Sequence, residues 1–406
     1  MELASALIRI PSENPGPAFA EQSARVGRLS AAYLSRRGLG VAEHRRETGL
    51  TNLVAAAPLA GLPGPRLLFC GHTDVVPAAD RSRWSFDPFC GEVRDGVLLG
   101  RGASDMKAGL AAQLFVAGLL QESAVELGVR GSLGIAIVAD EETGGAETAW
   151  LLAQGLVQGD ACLIAEPSDP RHPTIGQKGS CWMKVTIPGQ PGHGSLQPLS
   201  GVSAVRLAAR VVEALGGLWD LQAEPPAELA ELLRRTGEYM EQRMGNAGLA
   251  EVLRRVSYNP GVILGGSKVN VVADTCTVEV DTRVPYGLKP EQVLAEARRL
   301  AAAVAPDAVV EPFGYWGEPN WTRDTHPVVL ALERAIVAVL GAGEPTYSVL
   351  QWASSDARHF RRHGIDVVQY GPAVLTTIHG YDERVLVADL VRAAEVYADT
   401  AVRYLG

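Results

Sequence analysis

Short apolar runs alternate with stretches of helical spacing over residues 1–180, and several runs end in a side chain able to bind a metal. Residues 67–70, 133–139 and 161–165 have the length and apolar continuity of buried strands. Residues 20–37, 106–120 and 146–154 carry helical spacing. Strands separated by helices of about ten or more residues predict βα units on a mainly parallel sheet with helices on both faces. In such sheets ligands gather beyond the carboxyl ends of the strands. His72, the Asp140-Glu141-Glu142 run and Glu166 each directly follow a strand-like segment.

At 406 residues the chain exceeds what one core usually serves, so two domains are expected. Near Gly179 the pattern changes. Strands are expected over 182–187, 261–264, 275–284 and 309–315, with helices over 202–215 and 290–304 and a long polar helical stretch at 217–256. That order predicts a βαββαβ, ferredoxin-like α+β insert. From about residue 318 the first pattern returns, with helices at 328–340, 357–363 and 385–404 and a strand at 366–370. The reading is a catalytic α/β domain of residues 1–179 and 318–406, split by an insert of residues 180–317.

The net charge of −9 and the dispersed basic residues argue against a nucleic-acid surface. No stretch approaches the roughly 20 apolar residues of a membrane span. The N-terminus lacks a basic n-region and a small-residue cleavage site, so it reads as the first helix and the expected location is cytoplasmic. Five cysteines without Cys-x-x-Cys spacing fit a reducing compartment better than a disulfide framework.

Each chemical residue has a structural reading beside the functional one. A histidine after a strand, such as His72, is more often structural; Asp74 two residues on is placed to take its second ring N–H and fix its orientation. Asp105 is suited to cap the following helix, or to bridge metals if other acids converge on it. Glu141 and Glu142 repel each other unless cations compensate them, which allows one to bind metal while the other faces water. Glu166 and His379 are weak alone. Together, two imidazoles and three carboxylates (His72, His379, Asp105, Glu142 and Glu166) suit two divalent cations sharing one carboxylate, with Glu141 left as general base. His193, in a Pro-Gly-His-Gly-Ser turn, is a loop histidine or an oxyanion donor. Arg283 forms a surface ion pair or, with Asn270, holds a substrate carboxylate.

With these residues in place, the chain closely resembles the co-catalytic zinc family of acetylornithine deacetylase, succinyl-diaminopimelate desuccinylase, aminoacylase and glutamate carboxypeptidase. The motifs that carry the resemblance are Gly71-His72-Thr73-Asp74-Val75-Val76-Pro77, Gly100-Arg101-Gly102 with Asp105-Met106-Lys107, Asp140-Glu141-Glu142, Asn270-Val271-Val272-Ala273-Asp274 and Ser355-Asp356-Ala357-Arg358. The resemblance implies His72 and Glu166 on one metal, Glu142 and His379 on the other, and Asp105 between them. It implies Glu141 as base, Asp74 as support for His72, His193 as the lid histidine, and Asn270 and Arg283 on the substrate. It further implies zinc, with cobalt or manganese as substitutes, and a homodimer through the insert acting as a lid. Departures are Ala108 where glycine is frequent, the 217–256 stretch, and Thr376-Thr377-Ile378 before His379.

The expected activity is hydrolysis of the amide bond of an N-acyl amino acid or short peptide next to a free carboxylate. A broad-specificity metallo-carboxypeptidase or dipeptidase is the alternative within the class. A non-catalytic metal- and peptide-binding relative is the alternative outside it, and the intact Glu141 argues against that one.

Overall fold

The computed structural model describes residues 1–406, which divide into two compact units. One comprises Met1–Ile175, Trp321–Val349 and Ser355–Gly406, the other Gly176–Asn320 and Leu350–Ser354.

The core of the first unit is a sheet in which Arg66–His72, Gly131–Val138, Ala161–Ile164 and Asp366–Gln369 run parallel. Ala161–Ile164 is buried at every position, and Arg66–His72 at every position but the first. Strands covered on both faces need continuous apolar sequence, so these were legible as unbroken runs. Side chains alternate between the two faces of a strand. Phe69 meets the ring of Tyr397 on helix Val387–Leu405 at 6.2 Å. A Cβ at Gly71 would lie 3.1 Å from Met106 and Leu110 of the helix Lys107–Ser123. Cys70, on the opposite face, has its thiol pushed up by its neighbour Cys162 and by burial.

The helix Lys107–Ser123 approaches the sheet closely because it carries small residues there. A Cβ at Gly109 would stand 2.7 Å from the carbonyl oxygen of Ala165, the residue before Glu166. At one edge the sheet turns antiparallel through Thr51–Leu59 and Gly40–Arg45. These two strands were not anticipated from the sequence. Gly40–Arg45 has no buried position and carries Glu43, His44 and Arg45, so no apolar run marks it. A small three-stranded sheet of Val93–Arg94, Val97–Leu99 and Arg384–Leu386 also went unforeseen, its strands being two or three residues long.

The second unit is an antiparallel sheet in the order Ser257–Gly265, Thr275–Val284, Gly179–Pro188, Val309–Gly317. Helices Ala204–Leu215 and Pro290–Val304 pack on it and complete the βαββαβ order. The polar 217–256 region contains one helix, Ala230–Met244, flanked by short 3-10 turns.

Candidate metal centre

Parallel pairing delivers three of the candidate groups to one edge. His72 is the last residue of its strand and pairs in register with Val138, so Asp140, Glu141 and Glu142 emerge beside it. Cys70 pairs with Ile164 on the other side, which places Glu166 two residues beyond that strand. Asp105 ends the turn that precedes helix Lys107–Ser123. His379 lies in a loop beyond the 3-10 turn Leu375–Thr377, with a left-handed backbone at φ 58°.

The six side chains converge, and Asp105 is central. Its Oδ1 lies 3.2 Å from His72 Nε2 and its Oδ2 lies 3.3 Å from His379 Nε2. Glu166 Oε1 stands 4.0 Å from His72 Nε2, and Glu142 Oε2 stands 3.2 Å from His379 Nε2. The acceptor atoms of His72, Glu141 and Glu166 fall within 4.8 Å of one another, as do those of His72, Asp105 and Glu142. His72 Nδ1 contacts the backbone oxygen of Asp74 at 2.9 Å and its carboxylate at 3.4 Å. A proton held there leaves Nε2 free to coordinate. Asp74 Oδ2 in turn accepts from the amide of Asn14 at 2.8 Å and from the backbone N–H of Glu142 at 3.2 Å.

The electrostatics describe an anionic pocket short of positive charge. Burial, reinforced by the Asp105 charge, pushes the Glu166 carboxyl up to about 8. Burial, then the charge of Glu166, pushes Glu141 far above the carboxylate range. Glu142 is raised by burial and by Asp105. His379 is raised to about 10 by hydrogen bonds to Asp105 and Glu142. Burial opposes protonation of His72, but Asp105 and Asp74 outweigh it and raise its pKa. Glu142 Oε1 and Glu166 Oε1 are buried and accept no hydrogen bond. An orphaned buried carboxylate oxygen is costly unless a cation or donor meets it. The donor set of imidazole nitrogens and carboxylate oxygens, two of them orphaned, fits divalent cations.

His193, Asn270 and Arg283 belong to the second unit, and the structure joins two of them. His193 forms a bridge with Val271, and the backbone N–H of Gly194 donates to Asn270 O at 2.9 Å. His193 Nδ1 accepts from the backbone N–H of Ser195 at 3.3 Å and lies 2.7 Å from Ser195 Oγ. Arg283 pairs with Asp281 at 2.8 Å, contacts Ser180 Oγ at 3.4 Å, and lies 5.9 Å from the ring centroid of Trp182.

Sequence reasoning passed over Asn14, which orients Asp74, and the buried pair Arg101 and Glu383 beside Asp105. Asn14 sits in Ser12-Glu13-Asn14-Pro15, whose polar character resembles any loop. The position of Arg101 inside the Gly100-Arg101-Gly102 motif was the available signal.

Comparison with known proteins agrees with this geometry. Residues 68–403 match Peptidase family M20/M25/M40. A succinyl-diaminopimelate desuccinylase of Gluconacetobacter diazotrophicus is 32% identical, the alignment covering 100% of this chain and 97% of that protein. The same enzyme of Rhodospirillum centenum is 30% identical, over 99% of this chain and 96% of that protein. Among solved structures, the M20 family metallo-carboxypeptidase Sso-CP2 of Sulfolobus solfataricus superposes with a TM-score of 0.81 at 18% identity, covering 99% of this chain and 98% of that one. A cluster of imidazoles and carboxylates at the end of a mainly parallel sheet thus coincides with a family match over most of the sequence: the chain belongs to peptidase family M20/M25/M40 and is a metal-dependent hydrolase.

Proposed function

We propose that this hydrolase removes the acyl group of an N-acyl amino acid that carries a free carboxylate, with a desuccinylase-like preference. The supporting observation is Asp105, whose two oxygens face two different imidazoles, as a carboxylate shared by two cations must. His72 and Glu166 would hold one cation, Glu142 and His379 the other, with zinc the best match and cobalt or manganese able to replace it. Bound there, the cations lower the pKa of water and polarise a carbonyl. Asp74 keeps His72 oriented, and through the Glu142 backbone it ties the two halves of the set together. Glu141 is the general base: it takes the proton of the attacking water and returns it to the leaving amine.

His193, Asn270 and Arg283 serve the substrate, His193 by donating to the developing oxyanion and Arg283 by meeting the carboxylate. Arg283 already shares its charge with Asp281, so a substrate carboxylate competes for it. The relatives at 30–32% identity are succinyl-diaminopimelate desuccinylases, which favours deacylation over peptide cleavage. The test is a comparison of kcat/KM on the zinc-loaded protein across succinyl-diaminopimelate, acetylornithine, other N-acyl amino acids and dipeptides. Dicarboxylic N-acyl amino acids should lead; dipeptides leading would favour the peptidase reading, and substrates without a carboxylate leading would remove the role of Arg283.

The second unit also offers a dimerisation edge. Ser257–Gly265 is one of the two outer strands of its sheet, and Val262, Ile263 and Leu264 are 42%, 50% and 63% exposed. An apolar strand edge left bare invites pairing with another chain, which supports a homodimer. Ile263→Asp should shift the sedimentation coefficient of the protein to that of a monomer; an unchanged value would place the interface elsewhere. All five cysteines are unpaired and four are buried, which fits the cytoplasm, and no helix is long and apolar enough to cross a membrane.

A further inference from the structure

The turn that carries Asp105 and the loop that carries His379 are joined by one buried ion pair. Arg101 and Glu383 are 2% and 0% exposed, and Arg101 Nη1 donates to Glu383 Oε2. Each partner has a second contact. Glu383 Oε1 accepts from the backbone N–H of Ser104 at 2.9 Å and of Asp105 at 3.0 Å. Arg101 Nη2 donates at 2.9 Å to the carbonyl of Gly380, which is 279 residues away in sequence and adjoins His379. The guanidinium lies 5.2 Å from the ring centroid of Trp84. Beside it the backbone N–H of Gly100 donates to Glu383 O at 3.0 Å.

Stability alone does not call for this arrangement, because a buried ion pair is often matched or bettered by apolar residues of similar volume. What apolar residues lack is direction. The pair presents a forked donor to one loop and a two-fold acceptor to the other, and the two receiving points adjoin Asp105 and His379. We infer that Arg101 and Glu383 are a positioning pair that sets Asp105 against His379 and so makes two cation positions into one site. This rests on the two-cation reading proposed above. Neither residue is a ligand, since both Glu383 oxygens are taken by N–H donors.

The two arms of the pair can be separated. Arg101→Lys keeps a cation beside Glu383 but gives up the fork that also reaches Gly380. The His379 loop is then released while Ser104 and Asp105 keep their acceptor. Glu383→Gln keeps the shape but turns one oxygen into an NH₂ group among N–H donors, which disturbs Asp105 itself. The experiment titrates the zinc-loaded full-length chain with a chelator, counting zinc released, with His379→Ala marking the step that belongs to that position. The wild type should release two ions per chain. In Arg101→Lys the His379 step should move to about 10–100-fold lower chelator, the range for loss of a supporting group, with the other step within about threefold. In Glu383→Gln both steps should weaken.

Thermal melting of the zinc-free variants, with Trp84→Phe as a packing control, provides the contrast. A purely structural role would lower all melting points and leave the release steps of Arg101→Lys in wild-type proportion, which would overturn the inference. Wild-type release profiles in both variants would overturn it as well. A wild type that releases one ion instead of two would remove the two-cation reading and the inference with it.

Discussion

Replacing Glu141 by glutamine is expected to cut kcat by about 10²–10⁴-fold, the usual contribution of a positioned acid–base group. The zinc content should stay that of the wild type. The two readouts separate because Glu141 and its neighbour Glu142 have different surroundings. Glu142 meets His379 at 3.2 Å and has its backbone held by Asp74. Glu141, 8% exposed, stands within 4.8 Å of His72 and Glu166, and the proposed assignment leaves it outside both halves of the ligand set. The glutamine is isosteric, accepts no proton, and brings no new charge. Retained turnover in Glu141→Gln would dismiss this residue as the base, and lost zinc would make it a ligand.

Asp105→Asn should do the reverse and weaken zinc binding together with activity. The amide keeps the volume of the carboxylate but offers one acceptor and one NH₂, so one of the two imidazole-lined positions meets a donor. Breaking a buried charge pair costs about 3–5 kcal/mol, or roughly 100- to 4,000-fold in cation affinity at 1.4 kcal/mol per tenfold. Removing a supporting group such as Asp74 should cost only about 10–100-fold. Isothermal titration of the metal-free protein with zinc distinguishes the two sizes of effect. Stoichiometric zinc binding by Asp105→Asn at unchanged affinity would end the case for a shared carboxylate.

What the sequence disclosed follows from how locally each feature is encoded. His72, Glu141, Glu142 and Glu166 announce themselves because an unbroken apolar run precedes each of their segments. Asp105 and His379 follow no such run, since one ends a glycine turn and the other sits in a loop, and they entered the candidate set only as members of the whole group of imidazoles and carboxylates. Asn14 meets Asp74 across 60 residues and Arg101 meets Glu383 across 282. No period or spacing in a single chain reports such pairs. The edge strand Gly40–Arg45 escaped for the opposite reason: it is solvent-facing, so its charged residues carry no apolar signature. The inner parallel strands, buried on both sides, could hardly be missed.

The place of Asp366–Gln369 beside Ala161–Ile164 has a consequence for biosynthesis. The two strands are neighbours in the sheet, yet the whole of Gly176–Asn320 is translated between them. A growing chain therefore exposes the flank of Ala161–Ile164, fully apolar in its burial, until the ribosome has passed residue 369. At about 5–20 residues per second that interval is on the order of ten seconds or more. The intervening unit, nearly continuous in sequence, has the means to fold first, while the unit that carries the ligands waits for its last sheet strand. Early termination before residue 366 would leave a chain with an open, adhesive sheet in place of a quiet half-enzyme.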